Sequence, residues 1–181
     1  MSVFVNSHGC KMSSHKSSIT LIGMPGAGKS TVGVLAAKSL VKRFVDTDLA
    51  VQTREGRSLQ QVLDNDGYEV LRSLEAQTLL SLDLEDAVVA TGGSAVYSVQ
   101  AMSWLQSFSV LMYLEVDLAT VIARIGDFAD RGIAKSPQQT IEEVFFEREA
   151  LYRNWADVTL DATRPVEAVV SEIAAAWRSI A

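Results

Sequence analysis

Gly23-Met24-Pro25-Gly26-Ala27-Gly28-Lys29-Ser30-Thr31 fits the pattern G-x-x-x-x-G-K-[ST], with Gly23, Gly28, Lys29 and Ser30 at its fixed positions. Glycines there let successive backbone N–H groups turn inward around phosphate oxygens with no Cβ in the way. Lys29 brings a point charge to the β- and γ-phosphates of a nucleotide, and the Ser30 hydroxyl suits Mg²⁺. Ser18-Ile19-Thr20-Leu21-Ile22 ahead of the loop reads as a short strand. Behind it Val32, Leu35, Ala36, Ser39 and Leu40 recur at helical spacing, so the loop opens a helix whose N-terminus attracts anions. Gly26, Ala27, Gly28, Lys29, Ser30 and Thr31 are the expected contacts to ATP.

The sequence has 181 residues, of which 48% are hydrophobic and 21% charged, which suits one domain with a substantial core. Its net charge of −6 opposes general binding to nucleic acid or to an anionic membrane, since phosphate surfaces reward clustered Lys and Arg. An anionic small molecule would need arginines placed locally. The single cysteine, Cys10, makes no internal disulfide, and with two histidines it makes no zinc site. No apolar run approaches the roughly 18 residues a membrane helix needs. Residues 1–17 are rich in Ser, Lys and His, and Val3-Phe4-Val5 is too short for the core of a signal peptide. They are expected to be a flexible tail on a cytoplasmic, monomeric protein whose single domain spans residues 18–181.

From residue 18 onward strands and helices alternate, which predicts an α/β protein with a mostly parallel sheet. Phe44-Val45 reads as a strand ending at Asp46, and Ala87-Val88-Val89-Ala90 as a buried strand running into Gly92-Gly93. Val110 to Leu114 is the strongest strand, and Val158-Thr159-Leu160 the last. Capping-box patterns at Ser58 and Thr140 open helices through Leu63 and Asn154, and residues 68–82 form another. Two further helical stripes run through Leu118, Val121, Ile122 and Ile125, and from Val166 to Trp177. Residues 126–137, with Gly126, Gly132 and Pro137, break the pattern and are the expected lid.

Asp46-Thr47-Asp48 stands at the end of the strand after the phosphate-loop helix, the sheet edge where open α/β folds bind ligands. One carboxylate can organise Mg²⁺ and its waters while the other faces an acceptor hydroxyl as hydrogen-bond acceptor or base. The plain alternative is helix capping, because Asp48 precedes a possible helix at Leu49-Ala50-Val51-Gln52. Gly92-Gly93 offers close backbone approach and free N–H groups, or simply a tight turn. With no Asn-Lys-x-Asp stretch to read guanine and no second ATPase cassette, a compact kinase fits best.

Arg43-Phe44-Val45-Asp46-Thr47-Asp48, Ala90-Thr91-Gly92-Gly93 and Glu147-Arg148-Glu149-Ala150-Leu151-Tyr152-Arg153 together resemble the shikimate kinases, from about residue 18 to the C-terminus. The resemblance implies a three-layer P-loop NTPase fold like that of the nucleoside monophosphate kinases. Its five-stranded parallel sheet would run in the order 2-3-1-4-5, flanked by helices, with a mobile lid. It implies transfer of the γ-phosphoryl group of ATP to the 3-hydroxyl of shikimate, in aromatic amino acid biosynthesis. On the matching positions, Ser30 and Asp46 would serve Mg²⁺, and Asp48 would hold the shikimate hydroxyls and act as base beside Lys29 and Arg131. Arg72, in Leu71-Arg72-Ser73-Leu74-Glu75, matches the family's F-R-x-x-E, and Arg148 its R-x-P-x-Y. These two would bind the shikimate carboxylate, with backbone contacts from Gly92 and Gly93. Arg131 would reach the ATP phosphates from the lid, and Arg164 lies near the stretch that borders adenine. Physical chemistry agrees: guanidinium groups pair well with a carboxylate, and a lid arginine can neutralise transferring charge while the closed lid excludes water. The plain alternative for Arg72 and Arg148 is surface pairing on helices rich in Glu.

Four positions depart from the family pattern. Ser94 stands where a third glycine is usual, Gly132 where proline follows the lid arginine, Leu71 in place of phenylalanine and Ala150 in place of proline. Ser94 is expected to narrow or polarise the wall facing the acceptor, and Gly132 to loosen the lid. These departures keep open a kinase of the same fold acting on another hydroxyl-bearing carboxylate, such as gluconate or homoserine. They also keep open a nucleotide-binding regulatory module without transferase activity.

Overall fold

Apolar runs without polar alternation belong in the middle of a parallel sheet covered on both faces. That is where the computed structural model, which describes residues 16–125 and 132–180, puts them. Strands β1 (Ser18–Ile22) and β3 (Ala87–Ala90) are buried throughout, as is β4 (Ser109–Glu115) up to its last residue. The partly exposed β2 (Arg43–Asp46) and β5 (Val158–Asp161) form the two edges. All pairings are parallel and the order is β2-β3-β1-β4-β5, as the resemblance implies. The register sets Asp46 beside Ala90, Ala90 beside Leu21, and Glu115 beside Asp161, so the strand C-termini make one edge. Two hydroxyl positions inside the sheet are satisfied: Thr20 pairs with Ser109 at 2.9 Å, and Ser18 donates to the Leu84 carbonyl at 2.8 Å; the buried Tyr113 hydroxyl of β4 has no partner among the described residues.

The helices are α1 (Lys29–Leu40), α2 (Thr47–Glu55), α3 (Leu59–Asp66), α4 (Tyr68–Ser81), α5 (Val99–Phe108), α6 (Leu118–Ile125), α7 (Ile141–Trp155) and α8 (Val166–Ile180). Ser58 and Thr140 close reciprocal capping boxes at α3 and α7, as their spacing predicts. Two local differences from expectation matter. Helix α2 begins at Thr47, and its cap is Asp46, not Asp48: Asp46 Oδ1 accepts from the N–H groups of Asp48 (3.0 Å) and Leu49 (3.3 Å). Helix α5, preceded by a 3₁₀ turn at Ala95–Tyr97, has no counterpart in the sequence reading. It buries only Ala101, Met102 and Leu105, and its Ser98 cap lacks a Glu or Gln three residues on. Among the described residues no helix is long and apolar enough to cross a membrane.

Helix α1 packs against β2, β3 and α8, and Gly33 sets how close it comes. A Cβ there would lie 2.7 Å from Phe44 Cε2 and 3.3 Å from Leu21 Cδ1. The phosphate loop is fixed by this seating, because α1 starts directly from it. Gly33→Val is expected to lower stability by about 2 kcal/mol, the usual scale of core overpacking, read as a fall in melting temperature. An unchanged melting temperature would mean that α1 has slack against the sheet at this point.

Candidate active site

The loop between β1 and α1 is shaped by its glycines. Gly26 (φ 80) and Gly28 (φ 93) are left-handed, and a Cβ on Gly23 would lie 2.8 Å from the Leu114 carbonyl oxygen. Helix α1 has no side-chain cap, so its first N–H groups are left to an anion. A cavity of about 520 Å³ opens in front, lined by the loop and by Asp48, Thr91, Arg124, Arg164 and Val169. Lys29 Nζ folds back over the loop and donates to the carbonyls of Gly23 (2.7 Å) and Met24 (2.9 Å). Burial lowers the Lys29 pKa to about 8, against the opposing pull of the Asp48 carboxylate.

The donor set for a divalent cation is sparse and hard. Asp46 spends Oδ1 on capping α2, which leaves Oδ2, and Ser30 is exposed on the first turn of α1. Among the described residues no three His, Cys, Asp or Glu side chains gather. One hydroxyl and one carboxylate oxygen fit Mg²⁺ as it is usually held beside a nucleotide, with waters and phosphates completing the shell.

Beyond the loop lies a recess of about 40 Å³ lined by Pro25, Lys29, Asp48, Glu75, Gly93, Ser94, Ala134 and Arg148. Lys29 and Asp48 line both spaces, so the phosphate cradle and the recess share a wall. Helices α4 and α7 send one arginine each toward it. Arg148, 1% exposed, donates through Nη2 to the Ala134 carbonyl at 2.7 Å. Arg72 Nη2 donates to the same carbonyl at 3.2 Å, and its guanidinium carbon lies 3.7 Å from the centre of the Tyr97 ring. Neither arginine pairs with a carboxylate among the described residues, so surface pairing does not describe them. Two guanidinium groups converging on one oxygen form a grip that an anionic oxygen pair would strengthen.

Two carboxylates face each other in the recess. A Cβ on Gly92 would lie 2.7 Å from Asp48 Oδ1 and 2.8 Å from Glu75 Oε1, so the missing side chain is what lets them approach. The Gly92 N–H is not free, as the sequence had suggested: it donates to Thr47 Oγ1 at 3.0 Å. Gly93 gives its carbonyl to the Tyr152 hydroxyl at 2.6 Å, and a Cβ on it would lie 2.8 Å from Pro25 and 3.0 Å from Arg148 Nη1. Burial pushes both Asp48 and Glu75 above the usual carboxylate range. Lys29 pulls Asp48 back down, while the Asp48 charge pushes Glu75 higher. Asp48 Oδ1 is buried with no hydrogen-bond partner among the described residues.

Arg131 and residues 126–130 of the expected lid lie outside the described residues. Gly132, left-handed at φ 58, donates its N–H to Gln60 Oε1 at 2.8 Å, and a Cβ on it would lie 2.6 Å from Leu59 Cβ. Glycine here answers a tight fit against α3, not a need for looseness. Ser94 is buried and its hydroxyl donates to Glu75 Oε2. Arg164 lines the larger cavity and also pairs with Glu172. Sequence reasoning missed Arg124, which lines that cavity and donates to the Ala162 carbonyl at 3.1 Å. Its signal was slight: it is the one basic residue of α6, in the last turn beside the apolar stripe.

A family model described as shikimate kinase matches residues 25–178. Shikimate kinase 2 of Enterobacter sp. (strain 638) is 34% identical over 165 residues, covering 88% of this chain and 95% of that one. The crystal structure of shikimate kinase from Aquifex aeolicus superposes with a TM-score of 0.78 at 33% identity, covering 89% and 96% of the two chains. Shikimate kinase from Acinetobacter baumannii, solved in complex with shikimate, shares the fold with a TM-score of 0.83 at 24% identity, over 92% of this chain and 95% of that one.

Phosphate oxygens around Lys29 Nζ should restore its charge, so nucleotide binding above about pH 8 is expected to take up a proton. Calorimetric titration with ATP at about pH 8.5, in buffers of different ionisation enthalpy, measures this. Buffer-independent heats would contradict a neutralised Lys29, and Lys29→Met should abolish the buffer dependence.

Proposed function

The chain belongs to the shikimate kinase family, and we propose that residues lining the two adjoining cavities, with Asp46, Arg72 and Gly92 beside them, carry the family's reaction, each in the role given below. The protein is an ATP-dependent kinase acting on a hydroxyl of shikimate. The observation that carries the assignment of roles is that Lys29 and Asp48 line both cavities, so a phosphoryl group and an acceptor hydroxyl can meet there.

The loop amides of Gly26 to Thr31 and the Lys29 ammonium hold the β- and γ-phosphates, and Arg124 and Arg164 border the nucleoside end. Ser30 and Asp46 Oδ2 hold Mg²⁺, which when bound neutralises charge on the phosphates. Asp48 accepts the hydrogen bond of the acceptor 3-hydroxyl and takes its proton as the phosphoryl group transfers; the unpartnered Oδ1 supports this role. Arg72 and Arg148 grip the shikimate carboxylate, which takes over the donors now given to the Ala134 carbonyl. A recess of about 40 Å³ is too small for a ring with a carboxylate, so the Gly132–Ala134 stretch must draw back as the acceptor enters. Gly92 and Gly93 supply a flat backbone wall, and Arg131 approaches the transferring phosphoryl group from the lid. The proposal is completed by a monomer in the cytoplasm with neither nucleic acid nor membrane as partner, which the net charge of −6 supports.

Asp48→Asn is expected to lower kcat on shikimate by at least about 100-fold, the usual contribution of a positioned base. The same change should raise the melting temperature of the free protein at neutral pH. The sign follows because the folded-state pKa of Asp48 lies above its unfolded value, so ionisation above that folded pKa opposes folding, and the amide removes that penalty. Normal turnover by Asp48→Asn would reject the base. Arg72→Ala should raise KM for shikimate with KM for ATP unchanged; equal effects on both substrates would move Arg72 out of the acceptor site. ADP release with shikimate, gluconate and homoserine side by side checks the acceptor, and good turnover of either alternative with none of shikimate would overturn the assignment.

A further inference from the structure

Glu75 lies one turn after Arg72 on α4 and is 4% exposed. The charges of Arg148 and Lys29 both act on it, yet among the described residues it forms no salt bridge with either. A buried carboxylate beside two cations ordinarily takes one as a partner, because an unpaired buried charge is costly. The local geometry accounts for the exception. Glu75 Oε2 accepts from the Ser94 hydroxyl, and Oε1 rests on the Gly92 backbone, within 2.8 Å of where a Cβ would stand. The carboxylate is thereby pinned between Gly92 and Ser94, in the turn after β3. Among the described residues Arg148 keeps only neutral partners, the Ala134 carbonyl at 2.7 Å and the Tyr97 hydroxyl at 3.4 Å.

We infer that Ser94 is a positioning residue whose hydroxyl pins Glu75 against Gly92 and so leaves the Arg148 guanidinium available to the carboxylate of the acceptor. Neutral oxygens yield a guanidinium readily to an anion, whereas a resident glutamate would compete with it on equal terms. This rests on reading the smaller cavity as the acceptor site. It also gives the departure at position 94 a function: the side chain that narrows the wall restrains a competitor.

Ser94→Ala should raise KM for shikimate about tenfold, the scale of one charge-assisted contact, with kcat and KM for ATP within about twofold. Ser94→Gly should behave as Ser94→Ala, and Ser94→Thr, which keeps the hydroxyl, should remain near the parent. The double variant Ser94→Ala with Glu75→Gln should recover the lower KM, because a neutral amide does not capture Arg148. An unchanged KM in the alanine and glycine variants, or a double variant no better than the single, overturns the inference. The crystal structure of ligand-free Ser94→Ala decides the same point without turnover. Glu75 within about 4 Å of the Arg148 guanidinium supports it, and Glu75 still resting on Gly92 rejects it. Should the parent protein fail on shikimate, the proposed function falls while the structural comparison still judges the role of Ser94.

Discussion

Lys29, Asp48 and Glu75 bring an amine and two carboxylates into one dry place at the C-terminal ends of β1, β2 and β3, and most of the local architecture serves to keep them there. Each is displaced from its ordinary protonation range by burial. Gly92 admits the two carboxylates side by side, Ser94 fixes one of them, and Lys29 faces the other from the phosphate loop. A folded core does not gather such groups for its own stability. Their common address between two cavities is the physical sign that the cost is borne for chemistry.

The sheet was legible because its strands are written in the simplest code. Ala87 to Ala90 and Val110 to Leu114 are short apolar runs bounded by polar turns, and parallel strands covered on both faces need nothing more. The phosphate loop and both capping boxes were legible because their residues act locally, within a few positions of one another. Helix α5 was not, since Gln100, Ser103, Gln106 and Ser107 interrupt its apolar residues and only Ala101, Met102 and Leu105 are buried. The Asp46-Thr47-Asp48 turn was half legible. Two carboxylates were rightly expected at a strand end, but which of them caps the next helix depends on backbone angles that the sequence does not print.

Long-range pairings mark the limit of what the chain discloses about its site. The Gly92 N–H looked free until Thr47, 45 positions earlier, was found to accept it. Gly132 looked like a loosening substitution until Leu59 was found against it. Ser94 looked like a narrowing of the wall, and its actual contact, Glu75, lies on helix α4, 19 positions earlier. In each case the residue type was noticed and its partner was not, because closeness in space across a sheet edge leaves no spacing pattern behind.

The oxygen that both arginines hold belongs to the main chain at Ala134. Its chemistry does not depend on the side chain at that position, although Ala134 is buried in a cluster with Val62 and Leu71, so only a small residue leaves the latch in place. A comparison of sequences alone would pass over one of the contacts that most directly organises this recess, because a main-chain oxygen leaves no mark in the alphabet of side chains.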